Sequence, residues 1–294
     1  MVPEVSVIIP VFQNQIGVER CLAAIARQDG IAMSDIEVIV IDNGSEPKLT
    51  VSKSLPFPVK LLICSRKGAY SARNAGVKMA NGKVLVFLDA DCWPEKLWIR
   101  AGLDALCRNG KDSIVGGDVR FETAPHPSVV ESYQVLMGFG QERSISELQF
   151  SATANLFVSR QVFEQVGAFN EDLLSGGDRE WSWRAGKLGV PIYFSKDAMV
   201  WTKPRTTLRG ALIQARRVAG GRMSLEDNAE IVAVVGLEKI QPNKGLLDKI
   251  KVILCARKLP LTRRLLIFGV AVIVRLVHDF ERIRIGMGGE FERR

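Results

Sequence analysis

Short unbroken apolar runs alternate with amphipathic stretches through the first hundred residues. Val5–Ile9, Ile36–Ile41, Val59–Ile63 and Val84–Leu88 read as strands, while about Gly17–Gln28 and Tyr70–Ala80 carry apolar residues at helical spacing. The second helix is expected to stop at Asn81-Gly82, a pair that accepts the left-handed backbone of a helix end. Continuous apolar strands separated by helices predict a parallel sheet covered on both faces. Beyond Pro94 the rhythm changes. The pattern predicts helices over Pro94–Cys107, Pro127–Gly140 and Asp178–Leu188, with a short one starting at Ser159. Extended segments are expected at Ser113–Val115, Ala154–Val158 and, as a last short strand, Pro191–Phe194. From about Leu208 onward the chain reads as helical, with no internal repeat or low-complexity tract. An α/β body over residues 1–205 and a helical region over 206–294 are therefore expected.

Charge sharpens that division. The 294 residues carry a net charge of +8, and from Lys244 onward there are twelve Lys and Arg against five Asp and Glu. The body is thus nearly neutral, and the basic tail is drawn to an anionic surface. At 47% hydrophobic and 24% charged residues, the composition excludes wholesale disorder. Five cysteines without a CxxC pair suggest neither a disulfide framework nor a zinc site, and they suit a reducing compartment. The opening Val5–Ile9 run has the character of a strand, not of a secretory leader. The apolar run Leu265–Val274 falls well short of the roughly 20 residues a membrane span needs.

Open parallel sheets bind ligands beyond the carboxyl ends of their strands, and polar residues gather there. The first strand runs into Pro10-Val11-Phe12-Gln13-Asn14, the second into Asp42-Asn43-Gly44-Ser45 and the fourth into Asp89-Ala90-Asp91. The helix after the third opens with Gly68-Ala69-Tyr70-Ser71-Ala72-Arg73-Asn74. Two residues apart in extended chain, Asp89 and Asp91 would point to one side and repel unless a cation or solvent intervened. Oxygen-only ligands suit Mg²⁺ or Mn²⁺ bridging to substrate phosphates. A solvated pair in a turn is the plainer alternative.

Taken together, Ser6–Asn14, Val40–Ser45, Ala72–Gly76 and Phe87–Asp91 resemble family 2 of the inverting glycosyltransferases over about the first 190 residues. The resemblance implies a GT-A fold, a Rossmann-like and mostly parallel sheet flanked by helices, as in nucleotide-diphospho-sugar transferases. It places Pro10 and Phe12 in the base pocket and Asp42 on an N–H of the base edge. Arg73 would lie near ribose and diphosphate, Asp89 on the ribose hydroxyls and Asp91 on the metal. Phe12 as core, Asp42 as a turn former and Arg73 as a surface charge are the structural alternatives. The run Gly176-Gly177-Asp178-Arg179-Glu180-Trp181 is similar to the family's acceptor-side segment, which makes Asp178 the general base, with Glu180 as its substitute. Asp178 would equally serve as a helix N-cap. Asn155 falls where the family often has a polar residue touching sugar or acceptor.

Two departures stand out. The acidic residue usual just ahead of the catalytic Asp is replaced by Gly177. Nor is there a His in Met199–Arg205, where Thr202 takes its place, and Lys203 or Arg205 is expected to supply charge to the diphosphate instead. Gln214-Ala215-Arg216-Arg217-Val218 lacks the Trp of processive synthases, so transfer of a single sugar is expected. The resemblance implies a nucleotide-sugar donor, foremost a UDP-sugar, and a glycan or lipid-linked glycan acceptor in surface polysaccharide synthesis. In the tail, apolar residues such as Ile250, Leu265, Phe268 and Leu276 alternate with Lys and Arg clusters. A helix of that kind can lie in a membrane interface or pack on the body. The expectation is a cytoplasmic protein peripheral to the membrane, without nucleic-acid partners. A non-catalytic nucleotide-sugar or glycan binder and a nucleotidyltransferase are the rival classes.

Overall fold

The computed structural model describes residues 3–52, 54–228, 231–233 and 246–289. Lys244, Glu290, Glu292, Arg293 and Arg294 of the basic tail lie outside the described residues, as does most of the helical stretch expected over 229–245. One compact unit comprises residues 1–120 and 141–202, and another comprises 121–140 and 203–294. The helix expected over Pro127–Gly140 thus belongs with the C-terminal helices and not with the α/β body.

The first unit is built on eight strands. They are β1 (Val5–Val11), β2 (Ile36–Asp42), β3 (Val59–Ile63), β4 (Val84–Leu88), β5 (Cys92–Pro94), β6 (Ile114–Phe121), β7 (Asn155–Ser159) and β8 (Ile192–Thr202). Around them lie α1 (Gln15–Ile25), α2 (Ala69–Met79), α3 (Trp98–Asn109), α5 (Gln141–Leu148), α6 (Arg160–Val166) and α7 (Gly177–Lys187). The strand order is β3-β2-β1-β4-β7-β6-β8-β5. β3, β2, β1 and β4 run parallel, with Val5 opposite Ile36 on one side and Val84 on the other. β7 pairs antiparallel to β4, Asn155 facing Leu88, and β6 antiparallel to β7. The sheet is therefore mixed, its parallel half being the one legible as continuous apolar runs.

Every residue of β2 and all but Pro10 of β1 are buried. Each fully buried Val or Ile there contributes about 1.5–3 kcal/mol of transfer free energy. Helix α2 approaches the sheet through Gly76, where a Cβ would come within 2.7 Å of Ile8 and Ile41. Chain direction sends β2 to one side of β1 and β4 to the other. A crevice opens outside the carboxyl ends at such a switch point, and the loops after β1, β2 and β4 border it.

The pattern missed several elements. β8 continues to Thr202, eight residues beyond the short strand expected at Pro191–Phe194. The residues from Cys92 to Pro94 form β5 against β8, which delays the expected helix until Trp98. Polar helix α5 gave no apolar periodicity to read.

In the second unit, α4 (Val129–Met137) is joined by α8 (Leu208–Glu226), α9 (Leu246–Cys255) and α10 (Leu261–Gly286). A reciprocal capping box opens α4: Glu131 N–H donates to Ser128 Oγ (3.1 Å) and Ser128 N–H to Glu131 Oε2 (2.6 Å). Tyr133, Ile253, Ile267 and Ala271 form its core. Arg263 donates to Ser132 Oγ at 2.9 Å and to the Pro127 carbonyl. The opposite face of α10 leaves Leu261, Leu265, Phe268, Leu276, Phe280 and Ile283 exposed. Among the described residues, no helix is long and apolar enough to cross a membrane.

Candidate active site

The loop after β1 leaves Phe12 56% exposed, so its ring is not part of the core. Pro10, opposite Ile41 in the register, is half-buried below it. Gln13 adopts a positive φ of 54° and its N–H donates to Ser45 Oγ at 2.8 Å, tying this loop to the one after β2. At the end of β2, Asp42 is buried and organises its own loop. Its Oδ1 accepts from Ser45 N–H (2.8 Å) and its Oδ2 from Leu49 N–H (3.3 Å). Burial alone would raise the Asp42 pKa, yet hydrogen bonds from Ser45, Leu49 and Gly44 hold it below the ordinary carboxylate value.

Asp89 and Asp91 do not lie in extended chain, as expected from their spacing. β4 ends at Leu88, and Cys92 N–H donates to Asp89 O at 3.0 Å, closing a turn that feeds β5. The two carboxylates are thus presented on a turn at the mouth of the crevice, with Asp91 exposed. Asp89 accepts from Arg73 Nη2 at 2.6 Å. Arg73 is no surface charge: it is 5% exposed, and its Nε is buried without a hydrogen-bond partner. A buried guanidinium with a spare donor beside an open turn suits an oxyanion. Thr202 is buried at the end of β8 opposite Cys92, one residue from Asp91 along the chain, and exposed Lys203 follows it directly.

Helix α7 begins two residues earlier than the N-cap reading of Asp178 requires. Gly176, with φ 84° and ψ 3°, is the N-cap, so Asp178 sits inside the first turn. Its Oδ1 accepts from Arg179 N–H (2.9 Å) and, at the long limit of 3.4 Å, from the Tyr70 hydroxyl. Tyr70 comes from α2 and is 6% exposed. Burial first, and the Asp178 charge second, push its phenol well above its ordinary pKa, so it remains a proton donor at physiological pH. Glu180 is committed elsewhere, paired with Arg184 at 2.8 Å.

Two residues of the site are given no role by the sequence. Tyr70 is one, lying 108 positions before its carboxylate partner. It also explains Gly177, since a Cβ at 177 would fall 2.7 Å from the Tyr70 ring. Arg179 is the other: its guanidinium lies 4.4 Å from the Phe150 ring centroid, its Nε is buried without a partner, and burial lowers its pKa against the pull of Asp178.

Asn155 is a correction. It is fully buried, and its amide braces the sheet. Oδ1 accepts from Trp98 Nε1 (2.8 Å), while Nδ2 donates to Asp118 O (2.9 Å) and Ala198 O (2.8 Å). Those bonds hold it in the scaffold and not against a ligand. By contrast α2 is bolted to the segment ahead of α7. Asn74 donates to Phe169 O and Glu171 Oε1 (both 2.9 Å), and Arg66 pairs with Asp172 at 2.8 Å.

Among the described residues, no group of three His, Cys, Asp or Glu side chains is placed to hold a metal. Asp91 with Asp89 nonetheless fits a hard divalent cation, which takes one or two carboxylates and completes its shell with water and phosphate oxygens.

The chain is similar to known glycosyltransferases. Glycosyltransferase AglE of Haloferax volcanii is 36% identical over 202 residues, which cover 67% of this chain and 66% of AglE. A pre-mycofactocin glycosyltransferase of Mycobacterium tuberculosis is 24% identical over 216 residues, covering 70% of this chain and 44% of its own. The chain therefore spans less than two thirds of either relative. Among solved structures, the mannosyltransferase PcManGT of Pyrobaculum calidifontis, in complex with GDP-Man and Mn²⁺, superposes with a TM-score of 0.56 at 17% identity, covering 97% of this chain and 86% of that one. S. aureus TarS 1-349 in complex with UDP gives 0.53 at 15%, covering 98% and 93%. These likenesses show the fold, which is GT-A. Residues 6–167 match the glycosyl transferase family 2 description, and with the identity to AglE this shows that the chain belongs to glycosyl transferase family 2.

Proposed function

We propose that this chain is an inverting glycosyltransferase that moves one sugar from a nucleotide-diphosphate sugar, foremost a UDP-sugar, to a hydroxyl of a glycan or lipid-linked glycan. The observation that carries the reading is that a single helix holds both halves of the site. From α2, Arg73 reaches Asp89 at 2.6 Å and Tyr70, one turn earlier, reaches Asp178 at 3.4 Å. The donor side and the acceptor side are thereby fixed to one rigid element, as in-line displacement at an anomeric carbon demands. Neighbours of the same fold were solved with UDP and with GDP-Man, which supports a nucleotide-sugar donor.

In this reading Pro10 and Phe12 border the base. Asp42 gives most of its roughly four acceptor positions to Ser45, Leu49 and Gly44 of its own loop, and in this reading the base edge takes up what is left. Arg73 offers its spare Nε–H to phosphate oxygen while holding Asp89 toward the ribose. Asp178 takes the proton of the acceptor hydroxyl as its oxygen attacks the anomeric carbon. The bond from that carbon to the diphosphate oxygen breaks with its electron pair leaving on the diphosphate, and configuration inverts. Mg²⁺ or Mn²⁺ held at Asp91 and Asp89 would supply positive charge against the departing diphosphate, with Lys203 adding to it. The exposed apolar stripe of α10, interleaved with basic residues, supports contact with an anionic membrane surface. That contact suits a lipid-linked acceptor and a role in surface polysaccharide synthesis.

Thermal stabilisation by UDP, GDP, CDP and ADP, each with and without Mn²⁺, tests the donor assignment. Saturation at 100 times Kd adds about 2.7 kcal/mol. A Mn²⁺-dependent shift with one nucleotide is expected, and no shift with any of them would refute the reading.

A further inference from the structure

Arg179 is the charged residue beside the general base that the transfer chemistry leaves without a task. It follows Asp178 in the first turn of α7 and lies close enough to Asp178 and Tyr70 for both to act on its charge. Its guanidinium sits over two aromatic rings, 4.4 Å from the Phe150 centroid and 5.7 Å from that of Trp183, four residues on along the same helix face. Both rings are buried and fixed. Phe150 N–H donates to Ser144 O at 3.1 Å and Trp183 Nε1 to Leu148 O at 2.8 Å, while Ser151 N–H donates to Ser182 Oγ at 3.2 Å and ties the Phe150 loop to α7. Arg184, further along α7, shows what a satisfied guanidinium looks like: it pairs with Glu180 at 2.8 Å and donates to the carbonyls of Val166 and Ala168. Arg179 has no such partners. Among the described residues, no hydrogen bond or ion pair engages its guanidinium, and Nε is the one nitrogen of the three that is both buried and unbonded, so the Nη pair is left open to a ligand. A cation withdrawn from water without a counter-charge is costly. The two rings offset part of that cost through the face of the guanidinium, but they take up none of its N–H donors, which point along its edge.

We propose that Arg179 selects an acceptor that carries an oxyanion close to the hydroxyl from which Asp178 takes the proton. The inference rests on the transferase reading above and adds to it the charge of the acceptor. A carboxylate or phosphate accepts N–H bonds from the guanidinium fork and brings the counter-charge that the protein does not supply. A neutral sugar brings no charge. The oxyanion comes either from a uronic acid or from a phosphorylated sugar.

The test uses the full chain saturated with Mn²⁺ and the nucleotide that stabilises it. Methyl glucuronide, glucose-6-phosphate and methyl glucoside are titrated at fixed ionic strength, and binding is read by ligand-observed NMR. At least one charged sugar should bind about tenfold more tightly than methyl glucoside, or better. Tighter binding of the glucuronide assigns a uronic acid, and tighter binding of the phosphate assigns a phosphorylated sugar. Arg179→Gln should bring the charged sugars to the level of methyl glucoside while nucleotide affinity stays within about twofold, since only the acceptor's charge is read there. Arg179→Lys keeps the charge without the fork and should retain only part of the preference. Equal binding of charged and neutral sugars by the wild type would overturn the inference alone, as would absence of binding by all three. So would a preference that survives undiminished in Arg179→Gln. Failure of every nucleotide to bind would refute the transferase reading, and the inference with it.

Discussion

Replacing Gly177 by Ala tests why this chain carries no side chain immediately ahead of Asp178. The new Cβ would meet Cε2, Cζ and Cδ2 of Tyr70 at 2.7, 2.8 and 2.9 Å, where ordinary contact begins at 3.4 Å. The ring has little room to retreat, since it is 6% exposed, lies 5.8 Å centroid to centroid from Phe169, and has the Arg73 guanidinium 5.5 Å from its own centroid. Forcing an extra carbon into such a site costs about 1–3 kcal/mol, while exchanging Gly for Ala in a helix returns up to about 1 kcal/mol. A net loss of roughly 1–2 kcal/mol follows, or a fall in Tm of about 2–8 °C at about 2–4 °C per kcal/mol. Scanning calorimetry on the single variant, on Tyr70→Ala and on the pair measures it. Since Tyr70→Ala removes the obstruction, the double variant should fall short of additivity by at least about 0.5 kcal/mol. Tyr70→Phe keeps the ring and should give no relief. An unchanged Tm in Gly177→Ala, or strict additivity with Tyr70→Ala, would refute this explanation of the missing acid.

Tyr70→Phe alone should lower kcat about five- to tenfold with donor KM unchanged, because a long hydrogen bond to a charged group contributes about 1 kcal/mol; a change confined to KM would contradict its assignment to Asp178. Asn155→Ala should destabilise by about 2–5 kcal/mol, since Trp98 Nε1 and two buried carbonyls lose their partner, and a near-normal urea midpoint would show that Asn155 does not brace the sheet. Asp42 has a depressed native pKa, so its stabilisation is complete above about pH 4 and is lost as pH falls through the native value. Asp42→Asn should therefore flatten the stability curve below about pH 4, and an unaltered acid limb would contradict that. Glu at both Leu265 and Phe280, exposed on α10, should abolish pelleting with anionic vesicles without lowering Tm; retained pelleting would remove the stripe from the membrane contact.

The parallel half of the sheet was legible because each of its strands is a continuous apolar run, and the strand ends placed Phe12, Asp42, Asp89 and Asp91 on one edge. β8 was cut short because Ser195, Lys196 and Asp197 interrupt its middle, and only pairing with strands distant in sequence keeps it extended. β5 has three residues and exists through β8. The turn at Asp89–Asp91 is one of two readings that the sequence leaves open, because spacing alone does not distinguish a turn from extended chain. Gly177 looked like a loss from the family pattern until the Tyr70 ring accounted for it, a contact between residues more than a hundred positions apart. Arg73 shows no sign in the sequence of being buried, and Asn155 none of being consumed by three scaffold bonds. The alliance of α4 with the C-terminal helices depends on Tyr133 meeting Ile253, Ile267 and Ala271, which no local pattern reveals.

Release of nucleoside diphosphate from nucleotide-sugar donors should be compared between the wild type and Asp178→Asn, with nucleotide affinity measured calorimetrically on both. If Asp178 is the general base of sugar transfer, kcat falls by about 10²–10⁴ while affinity stays unchanged. Turnover within a few-fold of wild type in Asp178→Asn would contradict it.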